Sequence, residues 1–286
     1  MNSAVGFAVL SLLFAGFNDV VFKNFSRKNR SRGMNVLGIG VVWSILQAAT
    51  YILRGTPVVW DWVSISYGLG AGVFLTLSNL LLLESLTYIN VGLGSTVYRL
   101  NTIILVLFSF WLLNEPMSPI KIIGILCGII AVVLLYRPDP GFSPDRSVFQ
   151  IFGCIAILAS CLRGGYGVIS KAGLLHQANA DTMLLVISLN WIIGGGIYAY
   201  WREKTMRLTA TITGYSILSG ILVFLIVNTL MLALKNGQAS VVIPIANMSF
   251  IVSLAISVLM RFEPMTFHKG MAVVWAGLSI TLLARV

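Results

Sequence analysis

The sequence predicts an all-α membrane protein of ten transmembrane helices, arranged as two inverted five-helix repeats. Three observations predict it. Of the 286 residues, 58% are hydrophobic and 10% charged, whereas a soluble domain needs roughly 25% charged residues to cover its surface. Apolar runs of about 20 residues recur along the whole length, each long enough to cross a hydrocarbon core ~30 Å thick. Finally, Asn90–Leu135 is written again 148 positions later as Gln238–Leu283, without a gap. Glu115-Pro116-Met117-Ser118 falls on Glu263-Pro264-Met265-Thr266, and Lys121 falls on Lys269. The same shift lays Val20-Val21-Phe22-Lys23 on Val168-Ile169-Ser170-Lys171. One offset that serves separated regions marks a duplicated half.

The first half reads as spans 3–24, 34–54, 63–86, 91–113 and 117–136, and the second as 149–172, 181–201, 211–234, 238–260 and 265–284. The domains follow: a first repeat over 1–136, a linker over 137–148 with Pro138, Pro140 and Pro144, and a second repeat over 149–286. The N-terminus lacks a basic n-region and a small-residue cleavage site, so the first apolar run is expected to be a retained span. A basic segment, Lys23–Arg32, follows it. At the junction of fourth and fifth spans, Pro116 is expected in the first turn of the fifth helix, with Pro264 its counterpart before the tenth. Glu115 and Glu263 then place a negative charge at a helix N-terminus, where it is favourable. Within the ninth span Pro244 removes a backbone hydrogen bond and predicts a kink. Gly164-Gly165 and Gly194-Gly195-Gly196 fit close helix packing, with hinge duty the sharper alternative. Trp60, Trp62, Trp111 and Trp201 lie near span ends as interfacial anchors, while Trp43, Trp191 and Trp275 are deeper and either line a cavity or pack.

Five spans per half is an odd number, so the second half must sit upside down relative to the first. Inverted repeats of this kind place a site between the halves near the bilayer midplane. Of the 19 Lys and Arg, 12 fall in odd-numbered loops and 5 in even loops and the C-terminus. The positive-inside rule therefore puts the odd loops in the cytoplasm and both termini outside. The net charge of +10 reads as loops facing an anionic leaflet, and nothing supports nucleic-acid binding. Cys127, Cys154 and Cys161 all sit in apolar runs, and no Cys/His cluster with ligand spacing occurs, so neither disulfides nor a metal site nor another cofactor is expected. No G-x-x-x-x-G-K-[ST] motif for ATP appears.

The duplicated five-helix plan, with Asn114-Glu115 and Phe262-Glu263 each leading into a final helix, resembles the drug/metabolite transporter superfamily, and its EamA-type ten-helix branch in particular. The resemblance implies a secondary transporter of small polar metabolites in a cell membrane, the bacterial inner membrane if the source is prokaryotic. It also implies a central cavity lined mainly by the first, third and fourth spans of each half. Members of that branch keep their termini in the cytoplasm with a basic loop after the second span. Here the loop after the first span is the basic one, which is the reason to expect inverted insertion.

Ionisable groups well inside a span are costly and are functional candidates by default. Four qualify: Asp19, Glu84, Arg99 and Arg163. Arg99, in Val97-Tyr98-Arg99-Leu100-Asn101, offers a planar fork of donors suited to carboxylate or phosphate, and its repeat mate is Asn247. An ion pair with Glu84 across the short Tyr88–Asn90 turn is the competing role for Arg99. Arg163 lies near mid-membrane beside Gly164-Gly165-Tyr166, where small residues leave room for a ligand or an ion-pair partner. Asp19, in Phe17-Asn18-Asp19, can pair with Lys23, bind a substrate amine or carry a coupling proton. The candidate substrate-binding set is Arg99, Arg163, Asp19, Glu84, Tyr98, Asn18, Asn247 and Tyr166. Two buried arginines favour an anionic or zwitterionic substrate, with a coupled proton or an exchange substrate as companion and a monomer or homodimer in the lipid bilayer. A flippase for a lipid-linked sugar or phosphate is the alternative. An intramembrane enzyme fits less well, because no histidine falls mid-span and no nucleophile–base pair is evident.

Overall fold

The computed structural model describes residues 2–26, 30–55, 59–88, 97–135, 146–261 and 265–286. Pro138, Pro140 and Pro144 of the expected linker, and Glu263 with Pro264, lie outside the described residues. Among the described residues all regular structure is helical: α1 (Asn2–Ser26), α2 (Arg32–Arg54), α3 (Trp62–Tyr88), α4 (Asn101–Leu113), α5 (Pro119–Leu134), α6 (Arg146–Leu175), α7 (Ala180–Trp201), α8 (Ala210–Asn236), α9 (Ala239–Ala246), α10 (Phe250–Leu259) and α11 (Phe267–Leu283). A 3₁₀ turn, Asn247–Ser249, joins α9 to α10, so these two helices together are the ninth span. The tenth span is α11.

Among the described residues seven helices are long and apolar enough to cross a membrane, with Ala239–Leu259 counted as one. Three shorter apolar helices, Val97–Leu113, Pro119–Leu134 and Phe267–Leu283, occupy the fourth, fifth and tenth positions. The 16 residues of α5 cover ~24 Å, somewhat less than the hydrocarbon core. Many large apolar side chains are exposed, among them Ile52, Leu53, Leu259 and Phe267, as expected of a surface solvated by lipid.

Local sequence explains the helix starts. Ser31 caps α2 by accepting from Met34 N–H, Asn179 caps α7 by accepting from Thr182 N–H, and Thr209 caps α8 by accepting from Ile212 N–H; each satisfies an amide that the first turn leaves without a partner. Ser118 caps α5, and Pro119 occupies its first turn. The expectation for Pro116 is thereby corrected. Its ring lies before the helix, and Pro119, three residues on, supplies the preset φ.

Packing runs the first span against the eighth, the third against the sixth, the second against the seventh and the fifth against the tenth. The third also meets the seventh and the second the eighth, while the fourth meets the sixth and the first meets the ninth. Exchange every span for the one five places along, and this set of pairs is unchanged. The second and seventh approach most closely: a Cβ on Gly195 would lie 2.5 Å from Leu37 N, and one on Gly33 would lie 2.5 Å from Ala199 N. Small residues there let two backbones touch. Trp43 and Trp191, 148 positions apart, meet edge to face at 6.0 Å in the same interface and are buried. They pack against each other. The ninth span is the most enclosed, 61% of it buried against 28% for the first, so it stands near the middle of the bundle.

Candidate functional site

The centre forms where two spans break. In the fourth span Leu100 interrupts the helix; Leu100 N–H donates to Val97 O at 3.1 Å and Ile103 N–H to Leu100 O at 2.9 Å, the tighter i→i+3 pattern of a local 3₁₀ turn. In the ninth span the break is Asn247–Ser249, three residues beyond Pro244. Leu100 plus 148 is Met248, the middle of that turn. Both repeats therefore break at the same place, and the two breaks face each other.

Arg99 joins them. Its Nη1 donates to Asn247 O at 3.0 Å and to Ser249 Oγ at 3.1 Å, and its Nη2 donates to Asp19 Oδ2 at 2.8 Å. Ser249 Oγ lies 3.0 Å from the same Asp19 oxygen, and the guanidinium also sits over the Phe250 ring. Asn247 returns the contact by donating from Nδ2 to Asn101 Oδ1 and Thr102 Oγ1, both at 2.9 Å. Arg99 and Asn247 are repeat mates, so the guanidinium bonds the carbonyl of its own counterpart. Interruption of a helix leaves carbonyls free to take such partners. The pair is partly accessible, 21% for Arg99 and 33% for Asp19. A narrow crevice of about 10 Å³ adjoins it, lined by Arg99, Thr102, Pro244 and Asn247 together with Ile125, Gly128, Ile129 and Val132 of α5.

The sixth span supplies the second cation. Gly164 lets α6 approach the α4 start, where an added Cβ would lie 3.0 Å from Asn101 O. Arg163 places its guanidinium 5.3 Å from the centre of the Tyr166 ring, and Tyr166 is buried. Among the described residues Arg163 has no ion-pair partner. Tyr98 approaches the same helix: its carbonyl accepts from Asn101 Nδ2 at 2.7 Å and from Ser160 Oγ at 3.4 Å, and its hydroxyl lies 3.1 Å from Ser78 Oγ. Asn18, beside Asp19, is buried, and among the described residues its Oδ1 has no hydrogen-bond partner.

Comparison with known proteins supports the expected kinship. Residues 2–137 match the EamA-like transporter family. A solved crystal structure at 17% identity aligns over 100% of this chain and 98% of its own length with a TM-score of 0.85, a likeness of fold. No curated protein sequence matches. The apolar helices make this a multi-pass membrane protein, and its first half is similar to the EamA-like transporter family.

One expected partnership is corrected. Glu84 does not pair with Arg99. Its Oε1 accepts from Arg202 Nε at 2.9 Å and Nη2 at 2.5 Å, and its Oε2 accepts from Tyr198 at 2.7 Å. Glu84 lies one turn before the α3 terminus, where the end of α7 passes, so a residue far along the chain reaches it first. Sequence reasoning also missed Glu115 as a tertiary contact. Its carboxylate accepts from Ala239 N at 2.6 Å, Ser240 N at 3.0 Å and Ser240 Oγ, so it caps α9 rather than the helix that follows it. The available signal was the pairing of Glu115 with a repeat start, Gln238-Ala239-Ser240, that carries no acidic cap of its own.

Proposed function

We propose that the chain is a secondary active transporter for a small anionic or zwitterionic metabolite, working by alternating access between two inverted five-helix halves, 1–136 and 149–286. The observation that carries the substrate class is Arg163. Arg99 and Asp19 neutralise each other, whereas Arg163, in the middle of its span, has among the described residues an aromatic ring and no carboxylate against it. A guanidinium without a carboxylate at that depth is costly, and a substrate carboxylate or phosphate would supply a bidentate partner. Tyr166 is the ring against it, Tyr98, Asn247 and Asn18 are further polar candidates for the substrate, and Asp19 is the group for a substrate amine or a coupled proton.

The inverted arrangement is supported by the constant offset, by packing that is unchanged when the halves exchange roles, and by equivalent breaks in the fourth and ninth spans. The family match ends at residue 137, at the boundary of the first repeat. Broken helices meeting at the midplane are how inverted-repeat transporters present backbone groups to a substrate. The charge bias of the loops supports termini on the outer face.

Uptake into proteoliposomes tests the reading. Wild-type protein is expected to move at least one amino acid, organic acid or phosphorylated compound, and Arg163→Gln to lose that flux by at least tenfold. Equal rates for wild type, Arg99→Gln and Arg163→Gln would refute the site.

A further inference from the structure

The turn between α7 and α8 is unused by the substrate site, and a recess of about 510 Å³ opens beside it, lined by Tyr200, Trp201, Lys204, Thr205 and Met206. The 22 residues of α7 rise ~33 Å, the full thickness of a hydrocarbon core, so the end of this helix and the turn after it stand at headgroup level. The side chains divide accordingly. Tyr200, Trp201, Met206 and Leu208 leave large apolar surfaces exposed, and Tyr and Trp at a span end favour the interface. Lys204 and Arg207 are exposed cations among them.

The backbone singles out Lys204. Its φ is 51°, in the left-handed region where glycine is the usual occupant after a helix. A lysine there gives up backbone ease for an ammonium at the recess. The turn itself is held by the main chain, with Glu203 N–H donating to Tyr198 O at 3.3 Å and Thr205 N–H to Ala199 O at 3.1 Å. Nearby carboxylates are already engaged. Glu203 accepts from Arg32 N at 2.8 Å, Gly33 N at 3.2 Å and Ser31 Oγ, and Glu84 is taken by Arg202 and Tyr198. Among the described residues neither Lys204 nor Arg207 has an ion-pair partner. Two cations without carboxylates, set among exposed aromatic and aliphatic groups at headgroup depth, complement a ligand with an anionic head and an apolar tail.

We propose that this recess binds an anionic phospholipid, its phosphate on Lys204 with Arg207 as the second cation, and its acyl chains along Trp201, Met206 and Leu208. Guanidinium and ammonium both form charge-assisted hydrogen bonds with phosphate. The turn lies on the face that carries 12 of the loop Lys and Arg, the face that the charge rule turns toward the anionic leaflet. Glu203, next to Lys204, caps α2, so a lipid held here steadies the contact between α2 and α7 and registers as thermal stability.

The test is thermal unfolding of the purified protein in an uncharged detergent, with phosphatidylglycerol or phosphatidylcholine of the same acyl chains added. Phosphatidylglycerol is expected to raise the unfolding temperature and phosphatidylcholine to leave it unchanged. Lys204→Gly suits the left-handed turn and keeps the fold; it is expected to raise the phosphatidylglycerol concentration for half the response about tenfold, and Arg207→Gln severalfold. Arg261→Gly removes another exposed cation of the same face, also at a positive φ of 55°, and is expected to leave the response unchanged. Equal responses to the two lipids, a response that survives Lys204→Gly, or one that falls as far in Arg261→Gly would overturn the site. Soluble glycerol phosphate that reproduces the rise in wild type and not in Lys204→Gly would overturn a lipid as its occupant. The response is expected to persist in Arg163→Gln, so failure of the transport reading leaves it standing.

Discussion

Arg99 and Arg163 are both guanidiniums inside the bundle, yet their surroundings differ in kind. Arg99 is saturated: a carboxylate, a backbone carbonyl, a hydroxyl and a ring share its donors. Arg163 has one aromatic face. Saturation fits a residue that holds the two broken spans together, and the proposed binding role of Arg163 draws on its incomplete partnering among the described residues. Position in a span does not separate these roles. What lies opposite does.

Four substitutions break or sharpen that contrast. Arg99→Gln is expected to have the largest effect, because it strands Asp19 and the Asn247 carbonyl together. Transport is expected to vanish, and thermal unfolding in detergent to show a loss of about 1–3 kcal/mol, below the range for a fully buried pair because Arg99 and Asp19 retain some solvent. Asp19→Asn with Arg99→Gln then provides a cycle, in which the double variant should lose clearly less stability than the sum of the singles. Arg163→Gln is expected to abolish transport while leaving the unfolding temperature unchanged or slightly higher, since it removes an unpaired charge from the bundle. If it destabilises as much as Arg99→Gln, Arg163 is structural. Tyr166→Leu removes the ring under Arg163 and, with it, a cation–π contribution of about 0.5–2 kcal/mol; the expected result is weaker substrate binding with Arg99-dependent stability intact.

The smallest effect belongs to an exposed carboxylate. Asp61 Oδ2 accepts from Ser64 N at 2.8 Å at the start of α3, and the Ser64 side chain and backbone hold its carboxyl below the ordinary value. A depressed folded value means the cap contributes above the unfolded pKa and is lost as pH falls through the folded one. Unfolding measured from neutral to acid pH should therefore show a slight fall in wild type that is missing in Asp61→Asn.

Much of the architecture was legible because membrane spans and repeats are written along the chain. The apolar runs located the spans, and the offset of 148 positions related Arg99 to Asn247. Pro244 announced the break in the ninth span. Its partner in the fourth was hidden, since Val97–Asn101 contains neither Pro nor Gly and the turn at Leu100 arises where α6 and the ninth span press on it. Side-chain partnerships were read least well. Closeness along the chain suggested Glu84 for Arg99 and the following helix for Glu115, whereas the fold brings Asp19 to the first and α9 to the second. Repeat symmetry was the better guide: Arg99 bonds its mate Asn247, and Trp43 packs on its mate Trp191.

The most direct measurement is a ligand-dependent thermal-stability screen of the purified protein in detergent, run on wild type and Arg163→Gln with amino acids, organic acids, sugar phosphates, nucleotides, quaternary amines and polyprenyl phosphates. A ligand that binds only the folded protein raises its unfolding temperature by mass action. The account predicts a rise with at least one anion or zwitterion in wild type and none with that compound in Arg163→Gln. A rise confined to quaternary amines, or an anion response that survives in Arg163→Gln, would contradict it and move recognition to Asp19.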